Sequence, residues 1–361
     1  MAGRVRFGFV GAGEIANQTA DAVAEAEHAT LTAVVDANPE LAADLAQRHG
    51  AQVAASVDDL VSSPDVDAVY IAVPHFLHPV MAQKAARAGK HVLLEKPTGT
   101  NPEEAERSLE SARRAGVTFS VPFIYRYEPR WIKARELIAD GALGKVVALR
   151  VVYTANKPDS YWQGGYSGRS RSDWRTKVLQ SGGGVFIMNC IHEIDAMRWA
   201  TGLEAERVYA EYGTFSTAVE VEDQITAVLL YEGGAIGTIE AGSHHPGGAG
   251  PVGNGGHRIM GTTGQVVISG NRLYAYTEGE GHGLPVREWT QVPLAEVDGR
   301  AACIADYARA LAAGDPPPVP EDAALAAMRI IGAAYRSRDS GRAVRIEEVG
   351  RRVVMGVRPL Q

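Results

Sequence analysis

Cysteine is almost missing from this chain: Cys190 and Cys303 are the only two among 361 residues. They lie too far apart in sequence to suggest a disulfide framework or a cysteine metal site. An excess of positive charge is also lacking. The 36 Lys+Arg stand against 43 Asp+Glu, for a net charge of -7, which argues against nucleic acid as the default partner. No run reaches the ~18–20 apolar residues of a membrane helix. The opening stretch, with Arg4 and Arg6 before a short apolar run broken by glycine, does not make a signal peptide. There is no internal repeat. The expectation is a soluble cytoplasmic protein with neither membrane nor nucleic acid as partner, and the length suggests two domains, each with its own core.

What is present is a regular alternation over the first third. Apolar runs at 4–10, 30–35, 68–73, 91–94 and 117–121 are separated by helical patterns at 14–26, 39–49, 78–88 and 102–115. The strand runs are apolar on both faces, as when helices cover a parallel sheet on each side, and the alternation implies right-handed βαβ units. Asn38-Pro39 and Asn101-Pro102 place a cap before a first-turn proline; Gly50, Gly89 and Gly116 stand just past helix ends. After about 121 the texture changes. A helix is expected near 127–139, a strand near 145–155, a polar, aromatic and Gly-rich loop over 157–180, and a helix near 185–201. Short strand-like runs with Gly turns fill 204–292, which predicts a mainly antiparallel sheet, and helices at 300–313 and 321–338 follow. The stretch 242–256 (GSHHPGGAGPVGNGG) has the composition of a mobile loop. The fold class is therefore α/β, with domains at 1–121 and 122–361.

The first strand runs into Gly11-Ala12-Gly13-Glu14-Ile15-Ala16. This is G-x-G-x-x-A at a strand–helix junction: Gly11 permits the turn, Gly13 admits a pyrophosphate, and Ala16 lets helix and strand pack closely. The amides at the helix start, around Glu14 and Ile15, favour that anion. Asp36 ends the second strand, 20 residues past Ala16. A carboxylate there accepts from ribose hydroxyls and repels a 2′-phosphate, so it favours NAD over NADP.

Two further groups draw attention. Lys96, in "VLLEKPTG", follows a strand that ends on the ligand-binding edge of the sheet; it reads equally as a functional lysine or as a solvated one paired with Glu95. Gly182-Gly183-Gly184 precede a helical segment carrying Met188, Asn189, His192 and Asp195. Along the helix Met188, Asn189 and Asp195 are i−4, i−3 and i+3 from His192, so all share its face. A histidine among apolar residues is more often a hydrogen-bonded core group than a catalyst. His75, His78, His244 and His245 complete no tetrahedral set, so no metal is expected; a helix start and a loop account for them.

Together these features resemble the glucose–fructose oxidoreductase / inositol dehydrogenase / rhizopine catabolism (Gfo/Idh/MocA) family over nearly the whole chain. The resemblance rests on GAGEIA (11–16), VPHFLHP (73–79), AGKHVLLEKP (88–97), GALGKV (141–146), SDWR (172–175), GGGVFIMNCIHEID (182–195) and SGRAV (340–344). It implies an N-terminal Rossmann domain and a C-terminal α/β domain whose open sheet builds a homodimer or homotetramer. It implies oxidation or reduction of a carbinol carbon in a sugar, sugar derivative or cyclitol. It also implies catalytic roles for Lys96 and His192, with Asp195 orienting the histidine. Cofactor contacts are implied at Gly11, Gly13, Glu14, Ile15, Asp36, Val73, Pro74, His75, His78, Glu95, Lys96, Pro97, Arg126 and Trp174, and a cis Lys96–Pro97 bond is open.

Where many members carry Asp or Asn four residues before the histidine, this chain has Met188, and His75 replaces a frequent Asn. His192 suits a base near neutral pH, and Lys96 suits a donor to developing alkoxide charge, with a base role also open. Substrate contacts are expected at Lys96, Tyr125, Tyr161, Trp162, Arg175, Asn189 and His192, with core packing the alternative for the aromatics, more so for Trp174 than for Trp162. Arg169, Arg171 and Arg175 are an alternative set for a phosphate or nucleotide sugar. Two competing activities remain: an NAD-dependent redox-type glycoside hydrolase and a non-catalytic cofactor-binding regulator.

Overall fold

The structure, a computed structural model, describes residues 3–247 and 256–349. Residues 248–255, most of the stretch expected as a mobile loop, lie outside the described residues. The chain forms two compact units. One comprises Met1–Ile124, Pro158–Gly182 and Gly299–Met328; the other comprises Tyr125–Lys157, Gly183–Asp298 and Arg329–Gln361.

The first unit begins β1 (Val5–Val10), α1 (Glu14–Glu25), β2 (Ala29–Val35), α2 (Pro39–His49), β3 (Gln52–Val53), α3 (Val57–Ser62), β4 (Ala68–Ile71), α4 (His78–Arg87), β5 (His91–Leu94), α5 (Pro102–Ala115) and β6 (Phe119–Ser120). The chain then runs through α6 (Pro129–Ala139), β7 (Val146–Thr154), α7 (Asp159–Gly164), α8 (Val178–Ser181), α9 (Ile191–Thr201), β8 (Ala205–Gly213), β9 (Gln224–Tyr231), β10 (Ile236–Gly242), β11 (His257–Gly261), β12 (Gly264–Ser269), β13 (Arg272–Thr277), β14 (Thr290–Val292), α10 (Gly299–Ala313), α11 (Glu321–Ser340) and β15 (Val344–Arg345). The short β3 and α3 have no counterpart in the sequence reading; α3 offers only six residues of periodic pattern.

The first sheet has the order β3-β2-β1-β4-β5-β6, with every pair parallel. All its strands therefore end on one edge, and the order reverses between β1 and β4, where such sheets bind ligands. The helix starts follow their sequence signals. Asn38 accepts from the Glu40 amide (3.0 Å) and Asn101 from the Glu104 amide (2.9 Å), while Gly50 and Gly116 close their helices in the left-handed region. Phe7, Phe9 and Tyr70 fill the core together with Val23 of α1 and Ile304, Tyr307 and Ala308 of α10. Burying each large apolar side chain contributes about 1.5–3 kcal/mol.

The second unit carries a nine-stranded sheet, β14-β13-β12-β11-β7-β10-β9-β8-β15. It is antiparallel except between β7 and β10. Along β8, β9 and β10 buried and exposed residues alternate. One face is thus packed, with α9 against β7 and α6 against β12 and β13.

His257 of β11 lies by Trp131, ring centroids 5.2 Å apart, and its Nδ1 accepts from the Val152 amide at 3.4 Å. Burial, with Arg130 nearby, lowers its imidazole to about 3. In the unfolded chain it titrates near ~6.5. The neutral ring thus favours the fold fully above that pH. Below it the unfolded chain takes up a proton that the fold resists, and stability falls by at most about 1.4 kcal/mol per pH unit. His257→Asn is expected to flatten the fall of Tm between about pH 6 and 4 relative to the parent; identical slopes would remove this assignment.

Candidate functional site

The turn between β1 and α1 is built on glycine. Gly11 has φ 102°, and a Cβ there would run into the carbonyl of Ala72, so another residue does not fit. Gly13 caps α1 with no side-chain hydrogen bond and has no atom within 4 Å of where a Cβ would stand. That leaves room, and amides of the first helical turn, for an anion. At the end of β2, Asp36 accepts from the Ala12 amide (2.7 Å) and the Asn38 amide (2.8 Å), which holds its carboxylate beside the turn. This donor and acceptor set fits a dinucleotide.

The stretch 157–180, expected as a plain loop, is ordered around this turn and includes α7 and α8. The Glu14 carboxylate accepts from the amides of Tyr166 (3.1 Å) and Ser167 (3.3 Å). Arg169 donates to the Ala12 carbonyl (3.2 Å) and to Asp44 (2.5 Å). Arg169 thus ties this stretch to the turn and to α2.

On the same sheet edge, buried β5 delivers Lys96, half-buried, and the Lys96–Pro97 peptide is cis. Glu95, buried just before it, accepts from the Lys96 amide (3.2 Å), the Tyr70 hydroxyl (2.8 Å) and Arg300 (3.4 Å); Arg300 also donates to Thr19 (3.0 Å). Burial and the Glu95 charge push the Tyr70 phenol far up, so it stays a donor. Val73 and Pro74 lead into a short turn, His75–Leu77, and His78 opens α4. Both histidines are buried. The Val73 carbonyl lies 2.7 Å from His78 Nε2 and the Pro97 carbonyl 2.6 Å from Nδ1. Burial lowers this imidazole, while the two carbonyls pull the other way. His75 donates from Nδ1 to the Ser181 carbonyl (2.8 Å); burial, then His78, holds it far below its ordinary value, hence neutral.

The aromatics of this unit reverse one expectation. Trp174 is only half-buried, its ring 4.4 Å from that of His75 and beneath the Arg175 guanidinium. Trp162 instead is 3% exposed, and Tyr161 is buried beside it with their rings edge-on. The turn of α7 directs both inward, so Trp162, not Trp174, packs as core. Arg175 also lies over the Tyr161 ring.

The second unit explains its glycines by contact. A Cβ on Gly184 would overlap the backbone of Glu222, and one on Gly183 the hydroxyl of Tyr335. The buried Glu222 carboxylate accepts from the amides of Gly184 (2.6 Å) and Phe186 (3.0 Å) and from the Tyr335 hydroxyl (2.9 Å). It closes the start of the helical segment. Burial raises its carboxyl while the two amides pull it down. Residues Phe186–Cys190 form a π-turn before α9. The spacing argument for Met188 and Asn189 assumes an unbroken α-helix and does not carry over; the wider turn changes the phase ahead of His192.

His192 stacks on Tyr125, centroids 5.1 Å apart and planes 28° apart. The Glu193 charge, then burial, raises the Tyr125 phenol. Asp195, expected to orient His192, is a bidentate acceptor for Arg126 (2.8 and 2.7 Å). Arg126 is thereby held in a buried pair. Met188 is buried and apolar. Beside it Asn189 Oδ1 accepts from Lys157 Nζ, a buried lysine that the sequence reading passes over. Its signal is visible in hindsight, because Lys157-Pro158 repeats the strand–Lys–Pro order of Lys96-Pro97. Glu222 and Arg300 carry no comparable local signal. Among the described residues no group of three or more His, Cys, Asp or Glu is arranged for a metal ion.

Known proteins agree with this frame. Residues 5–123 match the Gfo/Idh/MocA model of an oxidoreductase family with an NAD-binding Rossmann fold, and residues 131–267 match the model of the C-terminal domain of that family. A 1,5-anhydro-D-fructose reductase from Ensifer adhaerens is 30% identical over 233 residues, covering 64% of this chain and 67% of that protein. The crystal structure of an aldose-aldose oxidoreductase from Caulobacter crescentus, complexed with glycerol, superposes with TM-score 0.81 at 26% identity over 95% of this chain and 99% of that one. A levoglucosan dehydrogenase in complex with NADH and levoglucosan shares the fold at TM-score 0.83, with 23% identity over 95% of this chain and 99% of that one.

Proposed function

The chain belongs to the Gfo/Idh/MocA oxidoreductases, with their NAD-binding Rossmann fold, and on that premise we propose that it moves hydride between NAD(H) and a secondary alcohol or ketone of a sugar, sugar derivative or cyclitol. The observation that carries the reading is the shared edge of the first sheet, where the glycine turn, Asp36 and Lys96 all stand. Bound NAD supplies the hydride acceptor. In this reading the domain of residues 1–121 holds it and the domain of 122–361 supplies substrate contacts and the subunit interface.

Gly11, its own amide held by the Val35 carbonyl, shapes the turn, while amides from Gly13, Glu14 and Ile15 bind the pyrophosphate, and Asp36 accepts from the ribose hydroxyls and disfavours NADP. Val73, Pro74, His75, His78, Glu95, Pro97, Arg126 and Trp174 border the nicotinamide. Lys96 donates to the reacting oxygen and stabilises its developing charge. His192, stacked on Tyr125, takes the hydroxyl proton. Tyr125, Tyr161, Arg175 and Asn189 complete the substrate contacts, with Trp162 packed in the core beneath them, and Asp195 acts on His192 through the helix that both occupy. The test is nicotinamide absorbance with purified protein, NAD and a panel of sugars, sugar derivatives and inositols. Turnover of at least one is expected; turnover of none would overturn the proposal.

Other features support a reading of assembly and compartment. Tyr209 pairs with Val228 across β8 and β9, and with Ile236 they are exposed, Val228 to 52% and Ile236 to 59%. An apolar sheet face of this kind suits a homodimer or homotetramer. Val228→Arg is expected to shift the mass in light scattering towards the monomer; a monomeric parent protein would remove the interface. Both cysteines are buried free thiols, which suits the reducing cytoplasm.

A further inference from the structure

We propose that Lys157 and Asn189 form an anion-recognising pair, and that the substrate carries a carboxylate, as a uronic acid does. The inference rests on the dehydrogenase reading for its substrate class and deepens it by naming one substituent.

Lys157 lies just past the end of β7 and is 3% exposed. Its ammonium donates to Asn189 Oδ1. A carbonyl oxygen only accepts and an ammonium only donates, so this contact settles which way the Asn189 amide is turned. The amide nitrogen Nδ2 then points away from the lysine. It has no acceptor among the described residues. Asn189 itself is half-exposed, three residues ahead of half-exposed His192. The neighbouring Met188 side chain is buried. This surface of the second unit therefore presents an N–H donor backed by a buried positive charge.

A charge held at low dielectric acts more strongly on its surroundings than one in water. A group that meets Asn189 Nδ2 is thus selected twice, as a hydrogen-bond acceptor and as an anion. A neutral hydroxyl satisfies the first condition only. A carboxylate satisfies both, and hydrogen bonds to charged groups are the stronger kind. The Glu193 carboxylate, four residues on from Asn189, is engaged with the Tyr125 hydroxyl.

The test compares three hexoses with their uronates (glucose and glucuronate, galactose and galacturonate, mannose and mannuronate). Binding to the full chain loaded with NADH is measured by calorimetry, and turnover separately by absorbance. At least one uronate is expected to bind about tenfold or more tightly than its hexose. Lys157→Met is expected to erase that ratio, and Asn189→Asp, which keeps the shape and a partner for Lys157 while placing a negative charge at the contact, to invert it. A hexose bound as tightly as its uronate, no uronate bound at all, or a ratio untouched by both substitutions would overturn the pair. Uronate selectivity without NADH formation in the oxidative direction, or its use in the reductive one, would uphold the pair and sink the dehydrogenase reading. Turnover of neutral sugars alone would do the reverse.

Discussion

Lys96→Ala is expected to lower kcat by about 100- to 1000-fold, the cost of removing one donor to a developing oxyanion. NADH affinity should change far less, because the glycine turn and Asp36 are untouched. The substitution is a clean one physically. The turn that carries Lys96 is held by Glu95 through the backbone amide, and Glu95 by Tyr70 and Arg300, so the alanine variant keeps that network. Steady-state rates with NADH titrations check it. The pH–rate profile separates the two roles open to the lysine. With His192 as base, the acidic limb persists at reduced rate in the variant. A variant that retains more than about a tenth of the parent kcat would leave Lys96 outside the chemistry.

The second large effect falls on stability. Glu222→Ala removes an acceptor shared by two backbone amides and a tyrosine hydroxyl, all buried. Each buried donor left without a partner costs about 1–3 kcal/mol, so the three left here together cost at least about 3 kcal/mol. Urea unfolding is expected to show a loss of that size. Glu222→Gln should cost less, since one oxygen remains, though its NH₂ faces a donor. A loss below about 1 kcal/mol for alanine would mean that water replaces the carboxylate and that the helix start is not buried as described.

The fold was largely legible because its signals are local. Strands apolar on both faces, Asn-Pro helix starts and closing glycines mark the first sheet in order, and the alternation in β8 to β10 marks the second. The short elements β3 and α3 lacked enough residues to show a period. At the site, the glycine turn, Asp36, Lys96 and His192 stood out because spacing alone identifies them. What stayed hidden depends on partners distant in sequence. Glu222 meets Gly184 across 38 residues, and Arg300 meets Glu95 across 205. The π-turn at Phe186–Cys190 has no period of its own and so misled the reading of which residues share the His192 face. Trp162 and Trp174 exchanged roles because aromatic content in a loop says nothing about which ring turns inward.

The return of α10 to the first unit has a consequence for biosynthesis. Ile304, Tyr307 and Ala308 belong to the same core as Phe7 and Phe9, with the rings of Phe7 and Tyr307 6.2 Å apart. A nascent chain that has emerged only as far as residue 124 holds six strands with part of their apolar cover still unsynthesised. At roughly 5–20 residues per second, the missing helix arrives on the order of 10–40 s later. During that interval the surface awaiting α10 is open to chaperones. The nucleotide-binding half, although first off the ribosome, is therefore among the last parts of this protein to be completed.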